Sequence, residues 1–260
     1  MFFLCLMCYV FCLYGPLVYT VYTLSRKSNA QLYEMTSFEE IGVRAGTDKI
    51  THHGYQRFYP QCLDSLRDTA TGILEIGIDK NHSVTLWKEY FTSAFIYGID
   101  IGLEYDDERV KIMRADQSSL SDLQNVRTQI HHPIQFIIDD GSHIPEHQVL
   151  TFEYYFTHLL EPGGIYIIED IETSYWTKLG LYGYETNYGY KHPKSFIEYS
   201  KNLIDIVNKE FLKDTNEANA LFKHDTISSI TFGQNCVIIK KKTVSEMSYN
   251  NRVYRHSDRL

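Results

Sequence analysis

The alternation of apolar and polar residues along the chain predicts strands that alternate with helices. Residues 136–138 and 165–168 are isoleucine-rich runs, each followed by acidic residues, which is typical of buried strands in a parallel sheet. Between them, apolar residues recur at the spacing of a helix, at Val149, Phe152, Phe156 and Leu159. A strand, a helix and a strand of this length predict two parallel, neighbouring strands.

Further apolar runs continue this pattern in both directions. Strands are predicted for residues 73–77, 95–99 and 110–114. A helix is predicted for residues 196–211, and two strands at residues 227–232 and 236–239 form a closing hairpin. We therefore expect an α/β fold built on a mostly parallel, doubly wound sheet with an antiparallel hairpin at its C-terminal end.

Ionisable side chains follow the ends of the two strands described first. Asp140 and His143 follow one strand, and Glu169 and Asp170 follow the other. Carboxyl ends of parallel neighbours meet at one sheet edge, about 4.8 Å apart, and crowded carboxylates there favour a divalent cation such as Mg²⁺. Glu169 and Asp170 can share that cation only if the strand ends between them. The alternative is that Asp139 or Asp140 caps the next helix while Glu169 faces solvent.

The first predicted strand leads into a loop typical of cofactor-binding folds. It ends at Gly77, and Asp100 ends the next strand, where an acid can accept hydrogen bonds from ribose hydroxyls. A full GxGxxG motif is absent, which argues against a dinucleotide. After the third strand, Asp116 and Gln117 could hold an adenine amino group or cap the following helix.

The N-terminus predicts a membrane anchor. Residues 2–24 carry no charge, and a bilayer core takes about 20 apolar residues, so we expect a transmembrane helix at residues 1–24. A cleaved signal peptide would show a basic start and a small-residue cleavage site. Arg26 and Lys27 follow the span, which favours a cytosolic domain. The only glycosylation sequon, at Asn81, agrees because a glycan there would block the cofactor loop.

Composition narrows the class of protein. The chain has 260 residues, enough for one α/β domain, and its net charge of −8 argues against a nucleic-acid partner. Its five cysteines show neither metal-ligand spacing nor a disulfide framework. The expected organisation is the anchor, a linker at residues 25–40, a folded domain at residues 41–240 and a disordered tail at residues 241–260.

Two more segments have a distinctive composition. Residues 46–55 are polar and have no assignable chemistry by themselves, so a capping turn before a helix through Tyr59 and Leu63 is the plainest interpretation. Residues 179–190 are rich in tyrosine and glycine and follow the acidic edge. They form either a lid or wall that suits a sugar ring, or a disordered loop.

Together these segments resemble the metal-dependent, S-adenosylmethionine-using sugar O-methyltransferases. The resemblance rests on residues 46–55, on ILEIGI, GIDI, ADQS and IIDDGSH, on PGGIYIIED with the Tyr-Trp pair after it, and on the final hairpin. It covers residues 41–240 and implies a Rossmann-like class I methyltransferase fold. The best-known members methylate deoxysugars of macrolides. The acidic blocks are specific to the family, whereas the ILEIG strand is common to most class I methyltransferases.

The resemblance also implies a role for individual residues. Metal ligands are expected at Asp140, Glu169 and Asp170, and a general base at His143. Contacts to S-adenosylmethionine are expected at Glu75, Gly77, Asp100, Asp116, Gln117 and Asp139. Relatives often carry two glycines where this chain has Asn81 and His82, which narrows the cofactor loop.

The predicted function is Mg²⁺-assisted methyl transfer from S-adenosylmethionine to a sugar hydroxyl of a glycan or glycoconjugate. An N-terminal anchor suits a membrane-associated acceptor, such as a glycolipid or glycoprotein glycan. Two alternatives stay open. One is a membrane-tethered, non-catalytic binding protein with a degenerate methyltransferase fold, and the other is an O-methyltransferase acting on a small, catechol-like molecule. A homo-oligomer is compatible with the sequence.

Overall fold

The structure is a computed structural model that describes residues 36–178, 185–209 and 224–249. Phe38–Leu260 forms one compact unit, and the described part of it contains a single eight-stranded sheet in the order β3-β4-β2-β1-β5-β6-β8-β7. Met1–Ser37 forms a separate unit, of which only the last two residues are described. The strands are β1 (Gly72–Ile76), β2 (Phe95–Asp100), β3 (Tyr105–Asp106), β4 (Val110–Arg114), β5 (Ile134–Asp139), β6 (Leu160–Glu169), β7 (Ile227–Gly233) and β8 (Cys236–Lys241).

Helices cover both faces of this sheet. They are α1 (Phe38–Ala45), α2 (Asp48–Thr51), α3 (Tyr59–Leu63), α4 (His82–Tyr90), α5 (Leu120–Thr128), α6 (Pro145–His158), α7 (Phe196–Val207) and α8 (Val244–Tyr249), with 3₁₀ turns at Tyr55–Arg57, Asp64–Leu66 and Ile171–Ser174. Side chains of α1, α3 and α4 pack in one apolar cluster, and those of α5, α6 and α7 pack in another. The two clusters take alternate residues of the central strands, so they lie on opposite faces of the sheet.

The central strands bring their carboxyl ends to one edge, as predicted. Strands β4, β2, β1, β5 and β6 run parallel, while β8 pairs antiparallel with both β6 and β7. Ile76 is level with Ile99 and Asp139, and Asp139 is level with Ile168. The residues that follow these positions therefore emerge together at this edge, which we call the carboxyl edge.

Strand β6 ends at Glu169, which meets the condition set by the sequence for two adjacent acids to serve one site. Asp170 adopts a left-handed conformation with φ of 51°. A left-handed residue breaks the alternation of a strand, so Asp170 is not forced to the face opposite Glu169. Such a conformation is uncommon for a residue with a side chain and clusters at functional sites.

The predicted membrane anchor is corrected by the structure. Residues 1–24 lie outside the described residues, and none of the described helices is both long and apolar enough to cross a bilayer. The longest of them, α6, has 14 residues and extends about 21 Å, against a hydrocarbon core of about 30 Å. The predicted transmembrane helix, single-pass membrane location and cytosolic orientation are therefore not supported.

Ordered structure also extends past both ends of the predicted folded domain. Helix α1 begins at Phe38, inside the predicted linker, and α8 lies inside the predicted disordered tail. At the start of α8, Glu246 N–H donates to Thr243 Oγ1 at 3.1 Å, and Thr243 N–H donates to Glu246 Oε2 at 2.7 Å. This reciprocal pair is a capping box, which stabilises a helix start even in a polar sequence.

Candidate functional site

Three metal-capable side chains meet at the carboxyl edge. Asp140 follows β5, His143 lies in the loop after it, and Asp170 follows β6; one ligand atom from each lies within 4.8 Å of the others. Helix α6 begins after Ile144 without a side-chain cap, so neither Asp139 nor Asp140 caps it. The structure thus brings together two of the three predicted metal ligands and the predicted base.

Gly77 lets the loops after β1 and β5 approach each other closely. Its φ is 87°, and a Cβ placed on it would lie 2.1 Å from the carbonyl oxygen of Asp140. Asp140 N–H donates to Ile76 O at 2.9 Å, which fixes the start of the second loop. Only glycine fits this position, because a side chain would push Asp140 away from the edge.

Asp170 has two hydrogen-bond donors at Oδ1 and a histidine ring near each of its oxygens. Tyr55 Oη and Asn235 Nδ2 donate to Oδ1 at 3.0 and 2.9 Å. His53 Nδ1 lies 3.5 Å from Oδ1, and His143 Nε2 lies 3.7 Å from Oδ2. Burial raises the pKa of Asp170 and so does Asp140, while the two histidines lower it. Asp170 therefore connects the loop that carries His143 to His53 and Tyr55 of residues 46–55.

Glu169 lies deeper than its neighbour and is 1% exposed, so it does not face solvent. Its Oε2 accepts from Lys49 Nζ at 2.7 Å, and its Oε1 accepts from the Tyr59 hydroxyl. Burial raises its pKa well above the ordinary value; Asp140 and Asp170 raise it further, and Lys49 lowers it. Burial and the neighbouring acids therefore outweigh the effect of Lys49 on the pKa of Glu169.

Lys49 is the main site residue that the sequence did not reveal. It is fully buried in α2, and its Nζ lies 2.6 Å from Asp140 Oδ2, 2.7 Å from Glu169 Oε2 and 3.5 Å from Glu75 Oε1. Burial alone would lower the pKa of this ammonium, but the three carboxylates hold it well above the ordinary value. Residues 46–55, which had no assigned chemistry, thus supply a cation to the acidic edge.

Two tyrosines also contact the acids: Tyr55, at the end of this segment, and Tyr59, at the start of α3. The rings of Tyr55 and Tyr59 stack with centroids 5.1 Å apart, and their hydroxyls donate to Asp170 and Glu169. His53 stacks on the outer face of Tyr55 at 5.1 Å. Apart from the family resemblance, the sequence signal for these contacts was the unusual composition of residues 46–55, because the acids that the two tyrosines contact lie 115 and 110 residues further along the chain.

A cavity of about 920 Å³ opens beside the metal-capable cluster. Its lining includes Gly77 and Asp100 from the predicted cofactor residues, together with Asp140, His143 and Asp170. Asp100 accepts from Ile78 N–H at 3.2 Å and from Gly102 N–H at 2.7 Å. Its carboxylate therefore holds the loops after β1 and β2 around one end of the cavity.

Glu75 lies beneath this cavity rather than in its lining. It is fully buried, and its Oε2 accepts from Ser83 Oγ at 2.8 Å. Burial raises the pKa of Glu75 to about 7; Lys49 lowers it, and Asp140 raises it. In the loop above it, Asn81 adopts a left-handed conformation, and His82 lines the cavity.

Asp139, Gln117 and Asp116 take supporting positions in the described structure. Gln117 Nε2 donates to both oxygens of Asp139, at 2.7 and 2.9 Å, and its Oε1 accepts from Ser142 N–H at 2.8 Å. Burial raises the pKa of Asp139 to about 6, while hydrogen bonds from Thr151 and Gln117 lower it. Asp116 accepts from Ser118 in a local turn. Gln117 therefore bridges Asp139 and the backbone of Ser142, and so fixes the loop that carries His143.

A second cavity, of about 760 Å³, adjoins the first at His52 and His53. Tyr175, Phe232 and Asn235 also line it. Tyr175 and Tyr190 stack with centroids 6.1 Å apart and are 51% and 65% exposed. The predicted lid is only partly visible, because residues 179–184 lie outside the described residues.

The sheet order and the cavity at the carboxyl edge are those of a Rossmann-like class I methyltransferase. The solved MycE methyltransferase of the mycinamycin biosynthetic pathway, in complex with Mg and SAH, matches with a TM-score of 0.70 and 26% identity, over 81% of this chain and 55% of that chain. The same protein in complex with Mg, SAH and mycinamycin VI matches with a TM-score of 0.67 and 25% identity, over 81% and 56%. No family model matches the chain.

Sequence relatives give the same assignment. The chain is 32% identical over 215 residues to the 8-demethyl-8-alpha-L-rhamnosyl tetracenomycin-C 2′-O-methyltransferase of Streptomyces olivaceus, covering 79% of this chain and 54% of that protein. It is 33% identical over 204 residues to the L-olivosyl-oleandolide 3-O-methyltransferase of Streptomyces antibioticus, covering 72% and 50%. The predicted resemblance to the metal-dependent sugar O-methyltransferases is confirmed, and the chain spans about half the length of the relatives it matches.

Proposed function

We propose that this chain carries an S-adenosylmethionine-dependent, Mg²⁺-assisted O-methyltransferase domain that acts on a sugar hydroxyl. The observation that carries the proposal is the meeting of Asp140, His143 and Asp170 in the lining of a cavity that Gly77 and Asp100 also line. The domain is the one predicted at residues 41–240. Relatives named for methylation of rhamnosyl and olivosyl groups support a sugar as acceptor.

The residues at the edge fit a hard divalent cation. Four acidic side chains lie here, those of Glu75, Asp140, Glu169 and Asp170, and Lys49 contacts the first three. Their oxygens are the ligand type that a hard divalent cation prefers. Asp140 and Asp170 would hold the metal, with Glu169 as the third predicted ligand, since a carboxylate oxygen can accept more than one partner. When bound, Mg²⁺ supplies Lewis acidity that lowers the pKa of a sugar hydroxyl.

The adjoining cavity fits S-adenosylmethionine. Gly77 leaves the floor open where a side chain would collide with Asp140, and Asp100 stands where ribose hydroxyls would donate. A methionine-derived cofactor carries no phosphate, which agrees with the absence of a glycine-rich phosphate loop. Bound there, the cofactor supplies the methyl group as a sulfonium.

His143 is placed to take the proton of the acceptor hydroxyl. Its Nε2 faces Asp170 Oδ2 at 3.7 Å, so a carboxylate stabilises the imidazolium that forms. Its left-handed backbone, with φ of 56°, is held where Thr173 Oγ1 donates to its carbonyl oxygen at 2.5 Å. The main contribution of these residues to the rate would be to align the acceptor hydroxyl with the bound methyl donor.

The second cavity suits the acceptor. It meets the first beside His53, next to Asp170, so a sugar placed there presents its hydroxyls to His143. The exposed Tyr175 and Tyr190 rings offer flat faces to a sugar or to an apolar aglycone. A sugar-bearing small molecule or a larger glycan would both fit this description.

Calorimetric titration with S-adenosylhomocysteine and Mg²⁺ tests the proposal. We expect wild-type protein to bind both, and Asp140→Asn to lose most of its Mg²⁺ affinity while keeping that for S-adenosylhomocysteine. His132→Ala is the matched control, since His132 contacts Tyr97 away from both cavities. Wild-type protein that binds neither ligand would refute the proposal, and binding without methyl transfer would favour the non-catalytic alternative.

A further inference from the structure

Lys49 connects three strands of the sheet through one nitrogen. Its Nζ donates to Asp140 Oδ2 after β5 and to Glu169 Oε2 at the end of β6, at 2.6 and 2.7 Å. The third carboxylate, Glu75 on β1, lies 3.5 Å away. An ammonium has three N–H donors, so its capacity matches these three acids.

The ammonium has little freedom to move. Lys49 is 0% exposed, and the start of α2 is fixed by Thr47, whose Oγ1 accepts from Lys49 N–H at 3.4 Å. The three acids are also held from other sides. Ser83 donates to Glu75, and Tyr59 donates to Glu169. A displacement of one acid therefore changes what Lys49 can offer the other two.

The three acids belong to different parts of the proposed site. Glu75 lies under the cofactor cavity, whereas Asp140 and Glu169 belong to the predicted metal set. We propose that Lys49 is a positioning residue that couples cofactor binding to metal binding, by sharing one buried ammonium between Glu75 and the pair Asp140 and Glu169. This inference rests on the proposed function.

The coupling has a measurable form. If one ligand changes the affinity for the other, the change is reciprocal, and coupling in proteins amounts to about 5–150-fold. Anything that shifts Glu75 when the cofactor binds redistributes the ammonium toward or away from the metal acids. A lysine that served only the fold would alter stability and leave this factor unchanged.

The test measures the affinity for Mn²⁺, through the free-ion electron paramagnetic resonance signal, without and with saturating S-adenosylhomocysteine. In the wild type we expect the two affinities to differ by about fivefold or more. Lys49→Met should bring the ratio to within about twofold of one. Glu75→Gln, which keeps the shape and leaves Lys49 in place, should do the same and serves if Lys49→Met does not fold.

Lys241→Met is the matched control. Lys241 is also a buried lysine, but its Nζ donates to two backbone carbonyls and contacts no acid of the site. This variant should keep the wild-type ratio. A wild-type ratio near one, a ratio retained in Lys49→Met or Glu75→Gln, or a ratio lost equally in Lys241→Met would overturn the inference. Failure of the wild type to bind either ligand would instead refute the proposed function.

Discussion

The two ends of strand β6 are each bound by a buried lysine, and the two lysines have different partners. At the carboxyl end, Lys49 is surrounded by carboxylates, which hold its pKa well above the ordinary value. At the amino end, Lys241 Nζ donates to the carbonyl oxygens of Phe156 and Leu160, both at 2.7 Å. Burial lowers the pKa of Lys241, although Glu161 raises it.

The difference in partners suggests different roles for the two lysines: Lys241 supports the fold, and Lys49 supports the proposed site. Phe156 belongs to the last turn of α6, whose carbonyls have no partner within the helix, so Lys241 stabilises the helix end. A buried ion pair contributes little net stability compared with apolar packing. An ammonium among acids is therefore better explained by the site that those acids form than by stability.

The largest expected difference between the two ends concerns catalysis. His143→Ala at the carboxyl edge should lower kcat by about 10²–10⁴ because it removes the proton acceptor. His132→Ala, in the loop before β5, should leave kcat unchanged. Steady-state methyl transfer measures both, and similar kcat values in the two variants would remove His143 from the chemistry.

The next difference concerns stability. Lys49→Met should lower the free energy of unfolding by about 3–5 kcal/mol, because it leaves buried carboxylates without their cation. Lys241→Met should cost about 1–3 kcal/mol, because it leaves only neutral carbonyls. Urea unfolding at pH 7 gives both values. An equal loss in the two variants would contradict the distinction between the two lysines.

The raised pKa of Glu75 predicts that the stability of the protein depends on pH, an effect that we do not expect from Lys241 at the amino end of β6. Burial raises the pKa of Glu75 to about 7, so the folded protein retains a proton that the unfolded chain releases near pH 4.5. The free energy of unfolding should therefore fall as pH rises from about 4.5 to 7, by at most about 3 kcal/mol from this group. Glu75→Gln should flatten the fall by that amount in urea unfolding at pH 5 and pH 8, whereas Lys241→Met should not alter the slope.

The smallest of these effects concerns cofactor affinity. Asp100→Ala should weaken S-adenosylmethionine binding at least tenfold, which is about 1.4 kcal/mol, because it removes the predicted ribose acceptor. Asp225→Ala is the control, because Asp225 is a half-buried acid that pairs with Lys209 and does not line the cavity. Calorimetry measures both, and equal affinities would remove Asp100 from the cofactor site.

The same contrast shows which features a sequence reveals. Asp140 and Asp170 were predictable because apolar runs locate strands, and neighbouring parallel strands bring their ends together. Asp139 was assigned to the cofactor, yet it points to Gln117 and Thr151 behind the loop, as the alternation of side chains along a strand allows. Lys49 was not predictable, because no local pattern links it to acids 91 and 120 residues further along the chain.

Two errors came from composition. The tail after β8 is polar, yet the capping box of Thr243 and Glu246 starts a helix there, and this short pattern was present in the sequence. The apolar N-terminus indicated a membrane helix, but hydropathy alone does not establish one, and the described helices include none that could span a bilayer. Composition shows whether a segment is polar or apolar, whereas specific contacts decide whether it is ordered.

Methyl transfer measured with and without the divalent ion tests the central claim most directly. The purified protein is mixed with radiolabelled S-adenosylmethionine and a set of rhamnosyl and olivosyl glycosides, in Mg²⁺, in excess chelator, and in chelator followed by excess Mg²⁺. We predict a labelled glycoside in Mg²⁺, loss of at least about 10²-fold in chelator, and recovery when Mg²⁺ returns. Transfer at the same rate in chelator would contradict the metal site drawn from Asp140, Glu169 and Asp170.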